Sequence, residues 1–270
     1  MRKLILVVGH GSRVHQANSD FEAFVEQFRD SVPESKVRFG YIELAEPLLE
    51  QAFEDAVEEA DEVIVLPLFL FAAGHVKQDI PRAVQEAREK FPHVHFLIAP
   101  PLGVHPSMIR LVLKRLNESR IEFEQVHSQT TVVMVGRGSS DPDANGNFYK
   151  LTRILEETSP YAHVVPCFVA ITRPWLPEAL EHVARGNPKA ILIQPYLLFP
   201  GKLVHQIENE AREFSKQYPD ISVQISLTLG RDPLIFELLK ERIRQAEVRE
   251  ISLSPDQYDY RAILTAVERG

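Results

Sequence analysis

Val8-Gly9-His10-Gly11-Ser12 returns 127 residues later as Val135-Gly136-Arg137-Gly138-Ser139, and this repetition decides the fold. The same offset pairs Ala17-Asn18 with Ala144-Asn145, Phe21 with Phe148, and Pro47 with Pro174. It also pairs Gly74 with Gly201, Ile80 with Ile207, Pro92 with Pro219, Gly103 with Gly230, and Pro106 with Pro233. A one-residue slip aligns Pro67-Leu68-Phe69-Leu70-Phe71 with Pro195-Tyr196-Leu197-Leu198-Phe199. An ordered series of this length marks two copies of one domain; its period is far above that of solenoid repeats.

Each copy alternates strand and helix. Leu4-Ile5-Leu6-Val7-Val8 is a continuous apolar run, as expected of a strand buried on both faces. Phe21, Phe24, Val25 and Phe28 follow at helical spacing. The first copy predicts strands at 37–44, 63–66 and 94–99, with helices at 47–60, 80–91 and 106–116. The second predicts strands at 132–135, 164–169, 190–194 and 222–227, with helices at 148–157, 176–184, 204–218 and 234–245. Four βα units per copy imply an α/β fold, with two tandem parallel sheets covered by helices on both faces. The expected domains are 1–120 and 130–250, joined by a polar linker around 117–129 and followed by a tail at 251–270.

The 270 residues are 44% hydrophobic and 25% charged, an ordinary globular balance. No apolar run reaches the length of a membrane span, and the apolar stretch at 4–8 is too short for a signal peptide, so a cytoplasmic protein is expected. A net charge of −8 disfavours general nucleic-acid binding. One cysteine, Cys167, rules out an internal disulfide and a cysteine-based zinc site; inside an apolar strand it reads as core. There is no Gly-x4-Gly-Lys phosphate loop, no complete Gly-x-Gly-x-x-Gly and no Gly-x-Ser-x-Gly elbow.

Ligands of open parallel α/β sheets bind beyond the carboxyl ends of the strands. In the first copy those ends carry Gly9-His10-Gly11-Ser12-Arg13, Glu43, and Ala72-Ala73-Gly74-His75. Two histidines and a carboxylate therefore point to one crevice. They suit a transition metal, and a neutral imidazole can also accept a proton. Each taken alone reads as a structural or solvated residue; it is their convergence that marks a site. The glycines beside His10 are expected to let the backbone approach a bulky ligand. In the second copy Arg137 replaces His10, Ala170 replaces Glu43 and Lys202 replaces His75. That copy either holds, shapes or dimerises, or is a degenerate copy kept for stability.

With Glu46-Pro47, Leu66-Pro67-Leu68-Phe69-Leu70 and Gly74-His75-Val76-Lys77-Gln78-Asp79-Ile80-Pro81, the strand-end motifs resemble the sirohydrochlorin chelatases. These are the ATP-independent class II chelatases of the sirohaem and cobalamin pathways. Gly136-Arg137-Gly138-Ser139-Ser140-Asp141-Pro142-Asp143 and Pro166-Cys167-Phe168 resemble the second half of their long, fused form. The resemblance covers roughly residues 3–247. It implies two flavodoxin-like, chelatase-fold domains across a cleft, with His10, Glu43 and His75 binding the metal and carrying the catalysis. It implies a tetrapyrrole site lined by Leu70, Phe71, Ala72, Ala73 and Gly74, with Ser12 and Glu46 nearby. Arg13, Lys77, Arg137 and Lys202 are assigned to the peripheral carboxylates on sign and position. The partners implied are sirohydrochlorin and a divalent ion: Fe2+, with Co2+ or Ni2+ also accepted in vitro. No cofactor beyond that substrate ion, no ATP, no membrane partner, and a monomer or weak homodimer are expected. Residues 258–270 carry neither the His-rich nor the Cys-rich extension of some cobalt-dedicated relatives, which tilts the expectation toward iron. Cobalt insertion is the alternative, and a non-catalytic tetrapyrrole or metal carrier a third.

Overall fold

The computed structural model describes residues 2–119 and 127–249. The tail at 251–270 and the middle of the linker lie outside the described residues. Within them the chain forms two compact units, and each contains one four-stranded sheet.

The first unit has strands β1 (Lys3–Gly9), β2 (Lys36–Tyr41), β3 (Glu62–Pro67) and β4 (His95–Ile98), all parallel in the order β2-β1-β3-β4. The apolar runs explain the centre of this sheet, since every residue from Leu4 to Val8 and from Val63 to Leu66 is buried. Period-two alternation turns Leu4, Leu6, Val8, Val63 and Val65 to one face. There they pack on α2 (Leu49–Glu59) through Phe53 and Ala56, and on α3 (Ile80–Lys90) through Ile80 and Val84. On the other side α1 (His15–Asp30) presents Phe24 and Phe28, whose rings lie 5.2 and 6.1 Å from Phe236. Fully burying one such ring contributes about 1.5–3 kcal/mol.

Phe236 belongs to α8 (Pro233–Arg249), from the end of the second repeat. That helix packs on β3 and β4 of the first unit. The second unit is built in the same way from β5 (Thr130–Gly136), β6 (His163–Phe168), β7 (Ala190–Pro195) and β8 (Ser222–Ile225), in the order β6-β5-β7-β8. Its helices are α5 (Pro142–Thr158), α6 (Leu176–Ala184), α7 (Lys202–Gln217) and α4 (Pro106–Glu118), the last of these from the first repeat. The compact units therefore differ from the segments 1–120 and 130–250: the repeats exchange their final helices. Each exchanged helix carries a buried arginine at the same repeat position. Arg242 of α8 donates from Nη2 to the Leu102 carbonyl, and Arg115 of α4 donates from Nη2 to the Leu229 carbonyl at 2.7 Å. Arg115 also reaches Asp232, at 3.1 Å.

Local departures from expectation have physical causes. The strand expected at 37–44 stops at Tyr41, and the chain beyond it turns through Leu44 at φ 65°. The helix expected from 47 begins at Leu49, after Pro47. Pro166 sits inside β6 without harm because β6 is an edge strand, where a missing N–H breaks no ladder. Cys167 is buried as expected, and burial pushes its thiol well above the usual range. No helix among the described residues is long and apolar enough to cross a membrane.

Candidate metal centre

β1, β2 and β3 of the first unit run side by side, so the segments leaving their carboxyl ends share one edge. His10 directly follows β1. Glu43 lies two residues beyond β2, held there by its N–H, which donates to the His10 carbonyl at 3.1 Å; the Ile42 N–H donates to the Gly9 carbonyl at 3.0 Å. His75 opens a π-helical turn, His75–Asp79, that runs into α3. The three side chains converge. One ligand atom from each of His10, Glu43 and His75 lies within 4.8 Å of the others. His10 Nε2 is 3.6 Å from Glu43 Oε1. The rings of His10 and His75 meet edge-on at 83°, with centroids 4.6 Å apart.

The histidine nitrogens have distinct surroundings. His10 Nδ1 lies 3.1 Å from the Gly11 carbonyl, which can only accept, and Nε2 faces the Glu43 carboxylate. His75 Nδ1 lies 2.8 Å from Asp79 Oδ2. All three groups are partly open to solvent, at 29%, 48% and 38% for the side chains of His10, Glu43 and His75. Two imidazoles and a carboxylate at this spacing form an open donor set for a borderline first-row ion, with coordination positions to spare.

The glycines beside His10 have a role in the protein's own packing. A Cβ on Gly9 would lie 2.8 Å from the Phe21 ring. A Cβ on Gly11, at φ 89°, would lie 1.7 Å from the Glu43 carbonyl oxygen. The second copy keeps this arrangement at Gly138, at φ 86°, where a Cβ would meet the Ala170 carbonyl at 2.2 Å.

Two curated relatives align with nearly the whole chain. A sirohydrochlorin cobaltochelatase of Priestia megaterium is 35% identical over 96% of this chain and 85% of its own length. A sirohydrochlorin ferrochelatase of Bacillus subtilis is 31% identical over 96% of each. The solved structure of SirB from Bacillus subtilis with Fe3+ superposes with a TM-score of 0.82 at 30% identity, covering 93% of this chain and 98% of that one. The CbiX family model matches twice, at residues 4–119 and 131–246. The chain belongs to the CbiX family.

In this CbiX chain the remaining expected residues are spread more widely than the central three. Ser12 spends its hydroxyl locally, with Oγ accepting from the Val14 N–H at 3.1 Å, and its carbonyl accepts from Asn18 at 2.8 Å. Arg13 and Lys77 are exposed. Glu46 is exposed and accepts from the Leu48 N–H at 3.1 Å, ahead of α2. Leu70, Phe71, Ala72 and Ala73 are half-buried between β3 and the π-helical turn, and Gly74 is exposed, with open space where a Cβ would be. Arg137 and Lys202 sit at the equivalent strand ends of the second CbiX repeat, both exposed, in the other compact unit. The Ala170 N–H donates to the Arg137 carbonyl at 3.1 Å, so the backbone frame outlives the lost donors. His15 and His205 are exposed and bonded within their own helices, to Ser19 and Glu208.

The sequence reading missed Asp79. Its only signal was the His-x3-Asp spacing at the head of a helix, which places the two side chains on one face.

Proposed function

We propose that this protein is a sirohydrochlorin ferrochelatase, inserting Fe2+ into sirohydrochlorin to form sirohaem with release of two protons. One observation carries the reading. His10, Glu43 and His75 are brought within ligating distance of one another at the strand ends of a CbiX chain.

The chemistry follows from the donor set. The ion is substrate, so it must be held weakly enough to leave; three protein donors exposed to solvent hold it less firmly than four pyrrole nitrogens. His10 Nε2 offers its lone pair beside the Glu43 carboxylate, whose negative charge offsets that of the cation. As the metal enters the macrocycle, two pyrrole N–H bonds break, and the imidazoles released from the ion accept those protons and pass them to water. Leu70, Phe71, Ala72, Ala73 and Gly74 would lie against the flat ring, with Ser12 and Glu46 close by and Arg13 and Lys77 toward its carboxylates. Arg137 and Lys202 are proposed as carboxylate contacts on charge alone. The reading needs no ATP, in keeping with a sequence that lacks a phosphate loop. It includes a cytoplasmic setting and a monomer or weak homodimer.

Cobalt insertion is the second reading, favoured by the 35% identical cobaltochelatase relative. Imidazole and carboxylate separate Fe2+ from Co2+ poorly. The test is anaerobic turnover without ATP, with sirohydrochlorin in excess over protein and Fe2+ or Co2+ supplied. Continued conversion of the visible spectrum past one equivalent supports a chelatase; arrest at one equivalent marks a carrier. The larger kcat/KM names the metal.

A further inference from the structure

The geometry points to Asp79 as a positioning residue that fixes which nitrogen of His75 faces the metal. His75 Nδ1 lies 2.8 Å from Asp79 Oδ2, and the other carboxylate oxygen, Oδ1, accepts from Arg82 Nη2 at 2.7 Å. An ionised carboxylate only accepts, so the His75 proton is drawn to Nδ1 and Nε2 is left with its lone pair. His10 Nδ1 has the Gly11 carbonyl as its acceptor-only neighbour. On this assignment both imidazoles offer Nε2, one through backbone and the other through a side chain. Arg82 steadies Asp79 in turn, giving a relay from α3 through the π-helical turn to the site.

The second repeat serves as an internal control. Where the first has His75, Asp79 and Arg82, it has Lys202, Gln206 and Asn209. The carboxylate is absent where the imidazole is absent, and Gln206 turns its amide to the Val169 carbonyl at 3.2 Å and to Glu210 at 2.8 Å. The backbone differs as well. The first copy has one more residue between the strand-ending proline and the following glycine (Pro67 to Gly74, against Pro195 to Gly201). Its helix opens with a π turn, in which the Ile80 N–H donates to the His75 carbonyl, whereas α7 is α-helical from Lys202. Such π turns inside helices often mark functional sites.

The inference rests on the metal-insertion reading, but its test does not need the reaction. The full chain, labelled with 15N-histidine, is studied in mildly alkaline buffer by long-range proton–nitrogen correlation, with His75 assigned through His75→Gln. Wild type should show His75 as the Nδ1–H tautomer. Asp79→Ala should shift it toward Nε2–H and weaken binding of Co2+ alone about 10- to 100-fold. Asp79→Glu should recover much of both. Asp79→Asn, nearly isosteric, supplies the same comparison if the alanine variant does not fold, since an amide can donate to Nδ1 and allow the wrong tautomer. In turnover, kcat should fall with the KM for sirohydrochlorin nearly unchanged. A folded variant that keeps the Nδ1–H tautomer, or binds Co2+ as wild type does, overturns the assignment. Wild-type protein that binds Co2+ through the Nδ1–H form yet inserts no metal counts against the chelatase reading alone.

Discussion

Gly11 and Glu43 pack so closely that a methyl group on Gly11 would lie 1.7 Å from the Glu43 carbonyl oxygen. The contact keeps Glu43 beside His10, so the missing side chain is part of the site. Gly11→Ala should destabilise the first unit by on the order of 2–3 kcal/mol, because both the positive φ and the overlap oppose a Cβ. Gly138→Ala should destabilise the second unit similarly while leaving the arrangement of His10, Glu43 and His75 untouched. Urea unfolding and Co2+ titration of the two variants check this. Equal loss of Co2+ binding in both would refute the link between Gly11 and the site.

His10→Ala should lower metal insertion at least about 100-fold with the fold retained, since on the proposed reading it removes a metal donor and a proton acceptor at once. The His10 side chain is partly open to solvent, not one of the buried core residues among those described. Initial rates measured alongside circular dichroism decide it; near-native turnover in a folded variant would take His10 out of the mechanism.

Arg137→His, made in a His10→Ala background, should not restore activity. Ala170 and Lys202 still stand where Glu43 and His75 stand in the first copy, and one imidazole beside an ammonium holds a divalent ion weakly. Recovery of substantial turnover would show the second copy to be less degenerate than its residues imply.

Asp232→Ala should destabilise the second unit by about 3–5 kcal/mol, as expected when a buried ion pair loses one member. Asp232 is 3% exposed and pairs with Arg115 at 3.1 Å and Lys114 at 2.7 Å, both on α4. Denaturant melts of the variant measure the change. A loss below about 1 kcal/mol would show that this contact does little to hold α4 in place.

Cys167 should resist alkylation in the native chain and react with one equivalent of reagent after unfolding. Burial keeps the thiol protonated by raising its pKa, and the thiolate is the reactive form. A thiol count with a chromogenic disulfide before and after denaturation gives the answer.

The sequence by itself determined the duplication, the alternation of strand and helix, and the candidate trio of two histidines and a carboxylate at the strand ends. Short apolar runs bounded by turn residues read as strands covered on both faces, and the ends of parallel strands in one sheet share an edge, so His10, Glu43 and His75 could be expected together without coordinates. Tertiary structure alone decided which sheet each repeat's last helix covers. An apolar helix face has the same sequence signature against its own sheet as against its duplicate, and the choice lies in long-range contacts such as Arg115 with the Leu229 carbonyl and Arg242 with the Leu102 carbonyl. Only the structure, too, showed that the space at Gly11 is filled by the Glu43 carbonyl and that Asp79 turns toward His75. Both depend on how two chain segments approach in space, and the order of residues along either segment does not encode that distance.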